Sequence, residues 1–178
     1  MQNLRILAID PGTSESAYVV IGTNPRIKLL EYGTISNNDI LELISHFTLT
    51  LREGELHCQL LIEDIESFGM PVGWDVFQTV RWTGRFDREW WHLVKRGARY
   101  IKRSKIKTAL CGTTRAKDPN IRQALIDMWG PVGTKKSPGL IYGISKHLWS
   151  ALAVGTVYLM ELDPCVDEKL QKLQLGLI

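Results

Sequence analysis

The chain predicts an α/β protein built on one mixed sheet flanked by helices. Three observations carry the prediction. Apolar runs of strand length open the chain and recur after the first helical segment. Apolar residues at helical spacing alternate with those runs from Asp39 onward. Pro, Gly and Asn clusters punctuate the boundaries between them. The order β-β-β-α-β-α-β-α-α gives an antiparallel start and an alternating remainder, the pattern of a mixed sheet with helices against it.

Leu4 to Asp10 is an apolar run closed by Pro11-Gly12, a strand and a turn. Ser16 to Gly22 and Ile27 to Thr34 read as two further strands around the turn Thr23-Asn24-Pro25, so the three form a meander. In Asp39 to Arg52, the spacing of Ile40, Leu41, Ile44, Phe47 and Leu51 predicts a helix. Leu56 to Ile65 is a strand carrying Glu63 near its end, and Gly69 to Gly73 is a loop. Asp75 to Lys95 is a helix rich in tryptophan, a composition that points to burial or an interface. Arg99 to Leu110 mixes basic and apolar residues and reads as a strand with its flanks. Asp118-Pro119 is an N-cap and first-turn pair; Ile121, Ala124, Leu125 and Met128 form the buried stripe that follows, and Gly130 ends it. Pro131 to Tyr142 is a loop. The last strong helix runs from Lys146 to Met160 with Ser145 as its cap. Residues 1–162 thus form one domain, and 163–178 read as a polar C-terminal tail with at most a little helix.

Composition narrows the function classes. A chain of 178 residues supports one compact domain with a substantial core. The net charge of +3 does not by itself imply a nucleic-acid partner, so the distribution of charge must decide. Cys58, Cys111 and Cys165 are odd in number and form no CxxC pair, which fits a reducing cytoplasm and not a disulfide framework or zinc knuckle. The opening apolar run ends in an acid and reads as a strand, not a signal peptide. No apolar stretch reaches the roughly 20 residues that span a bilayer. The expectation is a cytoplasmic protein without membrane contact.

Asp10 and Glu63 each follow three apolar residues at the end of a strand. If the strands are parallel neighbours, their carboxyl ends meet at the sheet edge where α/β proteins bind ligands. Two carboxylates there repel unless a cation lies between them, and hard oxygen donors suit Mg²⁺ or Mn²⁺. A metal pair about 4 Å apart activates water and stabilises the leaving oxygen of a phosphodiester. The alternative is that Asp10 caps its turn and Glu63 is a solvated strand-end charge. His147 opens the last helix with Ser150 one turn on, and a His in that place is either a ligand or an ordinary helical residue. Asp64 points to the opposite face of its strand, and Glu66 lies beyond its end.

Eight basic residues fall between Lys95 and Arg115 without an intervening acid: Lys95, Arg96, Arg99, Lys102, Arg103, Lys105, Lys107 and Arg115. So long a run of one sign is either a solvated face or a phosphate-contact surface. Lys135 and Lys136 extend it. Phe68 and Met70 flank Gly69 just beyond Glu63 and form either a base-wedging loop or ordinary core.

These segments together resemble the RuvC-type Holliday junction resolvases of the ribonuclease-H-like superfamily. Leu7 to Thr13 resembles the family's opening strand and turn, Leu61-Ile62-Glu63 its second acidic strand, and Arg81 to Gly84 its helix-with-glycine. Lys105 to Gly130 resembles its basic strand and subsequent helix, and His147 to Ala153 its C-terminal motif. The divergence resembles that of phage-encoded members, which would place the protein in the host cytoplasm. The resemblance implies a ribonuclease-H-like fold, a homodimer and two Mg²⁺ or Mn²⁺ ions per subunit. It further implies paired nicks across a four-way DNA junction, with no nucleotide cofactor. Asp10, Glu63 and His147 match its catalytic and metal-binding positions. Ser150 stands where it has a carboxylate, and a neutral hydroxyl holds a metal weakly. Phe68 and Met70 occupy the region of its aromatic wedge. Arg99, Lys102, Arg103, Lys105, Lys107, Arg115, Lys135 and Lys136 are the expected DNA contacts. Other readings are a non-catalytic junction-binding protein, an RNA-processing nuclease, and an actin-like phosphotransferase suggested by Asp10 to Ser14.

Overall fold

A computed structural model describes residues 3–49, 57–67, 69 and 71–175. The chain runs β1 (Leu4–Asp10), β2 (Glu15–Gly22), β3 (Lys28–Ser36), α1 (Asn37–Leu49), β4 (His57–Asp64), α2 (Trp74–Val94), β5 (Arg99–Lys102), α3 (Arg103–Cys111), α4 (Asp118–Trp129), the short hairpin β6 (Gly133–Thr134) and β7 (Ser137–Pro138), α5 (Leu148–Leu162) and α6 (Val166–Gln174). The five long strands form one sheet in the order β3-β2-β1-β4-β5. β1 to β3 pair antiparallel as the expected meander, while β1–β4 and β4–β5 pair parallel.

Strand burial follows position in the sheet. β1 is central and packed on both faces, so Ile6 to Ile9 are apolar without alternation and fully buried. β3 is an edge strand, largely exposed, and carries Lys28 and Glu31. Two apolar layers cover the sheet. On one face, Leu7, Ile9, Leu60 and Ile62 pack with Ile40 and Ile44 of α1 and Phe86 and Trp90 of α2. On the other, Ile6, Ala8, Val19, Ile21, Leu61 and Ile101 pack against α5, with α3, α4 and α6 outside it. Gly155 brings α5 close to the sheet: a Cβ there would lie 2.6 Å from Ile21 Cδ1. Trp129 Nε1 donates to Thr156 Oγ1 at 3.0 Å and ties α4 to α5 inside the core.

Several expectations change, among them the start of α5, whose N-cap is His147 and not Ser145. The segment 99–110 is not one strand: only Arg99–Lys102 pairs in the sheet, and Arg103–Cys111 is helical. Ile106 is buried and Leu110 lies one turn later on the same side, the helical spacing that basic neighbours obscure. The polar segment after Asp163 contains α6, which buries Val166 and Leu170 in the main core. α4 begins one residue earlier than its sequence suggests, with Lys117 as N-cap and its N–H donating to Asn120 Oδ1 at 2.9 Å. Among the described residues, no helix is long and apolar enough to cross a membrane.

Candidate functional site

The register of β1 against β4 builds the centre of the site. Ile9 pairs with Ile62 in parallel, so the next residues, Asp10 and Glu63, stand side by side where both strands end. Alternation then fixes their direction. Asp10 shares a face with Ile6 and Ala8, and Glu63 shares it with Leu61; these neighbours belong to the layer under α5. Asp64 faces away, as the sequence implies. The turn after Asp10 is held by two buried polar side chains, Ser16 and Asn37, that no sequence motif singles out. Gly12 N–H donates to Ser16 Oγ at 3.2 Å, Ser16 donates to Asn37 Oδ1 at 2.6 Å, and Asn37 Nδ2 donates to Gly12 O at 3.0 Å. A Cβ on Gly12 would sit 2.2 Å from the Glu15 carbonyl oxygen, so no larger residue fits this turn.

The start of α5 supplies the next two groups. His147 is its N-cap and Ser150 its third residue. His147 Nδ1 lies 3.2 Å from Asp10 Oδ2, while the ring remains 78% exposed. Ser150 Oγ accepts from Arg103 Nη1 at 3.3 Å. The same Nη1 donates to both oxygens of Glu63, at 3.2 and 3.4 Å, and Nη2 donates to Asp118 Oδ1 at 2.5 Å. Arg103, expected on an outer DNA-binding surface, is thus turned inward among carboxylates. The cause is its position: β5 pairs with β4 through Glu63↔Ile101 and Asp64↔Lys102, so the residue after Lys102 arrives at the edge beside Glu63. Glu66 fixes that arrival, accepting from Ser104 N–H at 2.9 Å and from its hydroxyl at 3.0 Å.

Burial dominates the electrostatics. Desolvation raises the Asp10 pKa above its ordinary value, against the pull of His147, Arg103 and the Ser150 hydroxyl. Glu63 is pushed up to about 7, first by burial and then by the Asp10 charge, with Arg103 opposing both. Burial works against the Arg103 charge, but Glu63 and Asp118 outweigh it. A clustered pair of carboxylates, one buried and one half-buried, that resists losing its protons is a donor set waiting for positive charge. Mg²⁺ is commonly held by one or two carboxylates together with water and substrate phosphate. Asp10 and Glu63 fit such an ion. Among the described residues, no group of three or more His, Cys, Asp or Glu side chains converges to hold a metal.

The other expected residues scatter. Arg99 and Lys105 both pair with Glu161 at the far end of α5, an acid the local run of basic residues could not reveal. Lys102 and Arg115 are exposed and Lys107 is half-buried. Lys135 and Lys136 occupy the exposed tip of the β6–β7 hairpin. Among the described residues none of these five makes an ion pair. Phe68 and Met70 lie outside the described residues. A cleft of about 400 Å³ opens beside the carboxylates, lined by Arg103, Asp118, Arg122, His147, Trp149 and Ser150. Arg122 stacks over the Trp149 ring at 5.1 Å, a pairing across two helices that no local motif signals.

No family model matches the chain, and no curated protein matches it. Solved structures do. RuvC of Thermus thermophilus aligns with a TM-score of 0.60 at 15% identity, over 91% of this chain and 97% of that one. The structure described as T. thermophilus RuvC in complex with Holliday junction substrate aligns with the same TM-score and identity, over 91% of this chain and 96% of that one. The fold of this chain is therefore the ribonuclease-H-like fold of RuvC, a mixed five-stranded sheet flanked by helices.

Proposed function

We propose that the protein is a metal-dependent endonuclease that cuts four-way or otherwise branched DNA. The observation that carries this reading is the pair Asp10 and Glu63, set side by side by the β1–β4 register and raised in pKa by burial. The likeness to a RuvC solved with a Holliday junction supports branched DNA as the substrate.

Asp10 and Glu63 would hold Mg²⁺ or Mn²⁺. When bound, the ion supplies charge for the carboxylate pair and Lewis-acid activation of phosphate and water. His147 is tied to Asp10 through Nδ1, and its exposed ring offers the other nitrogen for proton exchange at the scissile phosphate. Arg103 keeps Glu63 aimed and its charge partly neutralised. In-line cleavage leaves a 5′-phosphate and a 3′-hydroxyl. Lys102, Lys107, Arg115, Lys135 and Lys136 contact DNA phosphates outside the centre. The protein works in the cytoplasm as a homodimer. In support of pairing, Phe77, Val80 and Trp91 form an exposed apolar stripe along α2, with Gly84 in its line.

The test is incubation of labelled four-way junction, linear duplex and hairpin RNA with the full chain in Mg²⁺, in Mn²⁺ and in EDTA. The proposal expects symmetric nicks in the junction alone, lost in EDTA. RNA cleavage would redirect the substrate class. Tight junction binding without nicks under either metal would make the protein a junction-binding module.

A further inference from the structure

Arg103 is the first residue of α3, and its guanidinium lies where three oxygen-bearing side chains from different elements converge. Glu63 comes from β4, Asp118 from α4 and Ser150 from α5. Its Nη1 serves Glu63 and Ser150, and its Nη2 serves Asp118. The side chain is only 20% exposed, whereas Asp118 is 79% exposed and could turn to water. A planar, permanently charged fork with hydrogen bonds from both arms is a fixed element of the site, not a solvent-facing arm awaiting DNA. Without it, two carboxylates and a hydroxyl would face one another across the space it fills. Such a set of hard oxygens is itself suited to a divalent cation.

We infer that Arg103 is a built-in cation: the guanidinium fills the place between Glu63, Ser150 and Asp118 that an ion would otherwise take, so the site holds one divalent cation per chain instead of two. The inference rests on the nuclease reading, because it assumes that Asp10 and Glu63 hold that one ion. Charge accounts for the arrangement. Ser150 contributes a neutral hydroxyl, which leaves Glu63 and Asp118 as the anions hydrogen-bonded to Arg103, and one guanidinium bridges them. A compact strongly hydrated ion cannot enter without displacing it.

The experiment counts ions and does not depend on turnover. Mn²⁺ binding to the full chain, without DNA, is followed by calorimetry and by the electron paramagnetic resonance of unbound Mn²⁺. Native protein is compared with Arg103→Ala and Arg103→Lys, each checked for folding by circular dichroism. The inference expects one Mn²⁺ per chain for native protein and for Arg103→Lys, which retains the charge, and two for a folded Arg103→Ala. Two ions on native protein overturn it whatever the variants do, and nicking by that same protein would leave the nuclease reading intact. One ion on a folded Arg103→Ala also overturns it. No Mn²⁺ on native protein, with no nicks, removes the inference together with the reading beneath it.

Discussion

Glu63 shows what the site costs the fold. Its pKa of about 7 stands above the ordinary 4.5, because burial and Asp10 oppose its charge more than Arg103 supports it. The sign follows from linkage. Below pH 4.5 folded and unfolded chains both hold the proton and no penalty exists. Between about 4.5 and 7 the unfolded chain releases a proton that the folded chain retains, so stability falls as pH rises. Above 7 the penalty is complete, about 3 kcal/mol from the size of the shift. Glu63→Gln is therefore expected to raise the Tm of metal-free protein by several degrees at pH 8 and to leave it unchanged near pH 4. Equal melting at pH 8 would show that Arg103 already neutralises the group. For the same reason Mn²⁺ affinity should climb about tenfold per pH unit below 7 and level off above it, a profile that titrations at fixed ionic strength resolve. Asp10 and Glu63 were legible in the sequence because each ends an apolar run, where an acid needs a partner. Arg103 and Asp118 were not. Arg103 meets Glu63 across 40 residues and Asp118 across 15, and among neighbouring lysines and arginines nothing local distinguishes the one that turns inward.

The elements divide in the same way. Strands buried on both faces and the strongly apolar α5 announce themselves, and their boundaries fall within a few residues of the structure. α3 was hidden because its apolar positions are few and sit among lysines, so strand and helix periods could not be told apart. The docking of α6 on the core was hidden because only two buried residues, Val166 and Leu170, anchor an otherwise charged segment. Truncating Leu170 to Ala should cost about 2–5 kcal/mol, the range for a fully buried leucine. Chemical denaturation checks this, and a loss near zero would return the segment to a tail. On α2 the tryptophans split between roles: Trp90 is core, while Trp91 is exposed on the stripe with Phe77 and Val80. If the proposed homodimer pairs through this stripe, Trp91→Glu should leave the fold intact and shift sedimentation from dimer toward monomer. An unchanged sedimentation coefficient would contradict pairing through α2.

At the scale of the molecule, the order of elements was enough to foresee a mixed sheet, and the RuvC likeness at a TM-score of 0.60 bears that fold out. Arg99 and Lys105 are engaged by Glu161, and Arg103 by the centre, which leaves Lys102, Lys107, Arg115 and the hairpin lysines without an ion pair among the described residues. Removing one phosphate-binding charge reduces the slope of log affinity against log salt by about 1. Combined replacement of Lys102, Lys107 and Arg115 by Ala should therefore weaken junction binding at low salt and flatten its salt dependence. An unaltered slope in fluorescence anisotropy would contradict the proposed phosphate contacts at these residues.

The decisive measurement is cleavage of a labelled four-way junction by native protein beside Asp10→Asn and Glu63→Gln, with binding measured in the same tubes. Native protein should nick the junction only with metal, and both variants should bind it but no longer cut it. Undiminished cutting by either variant would contradict it, because the reaction would then not depend on the carboxylate pair that β1 and β4 bring together.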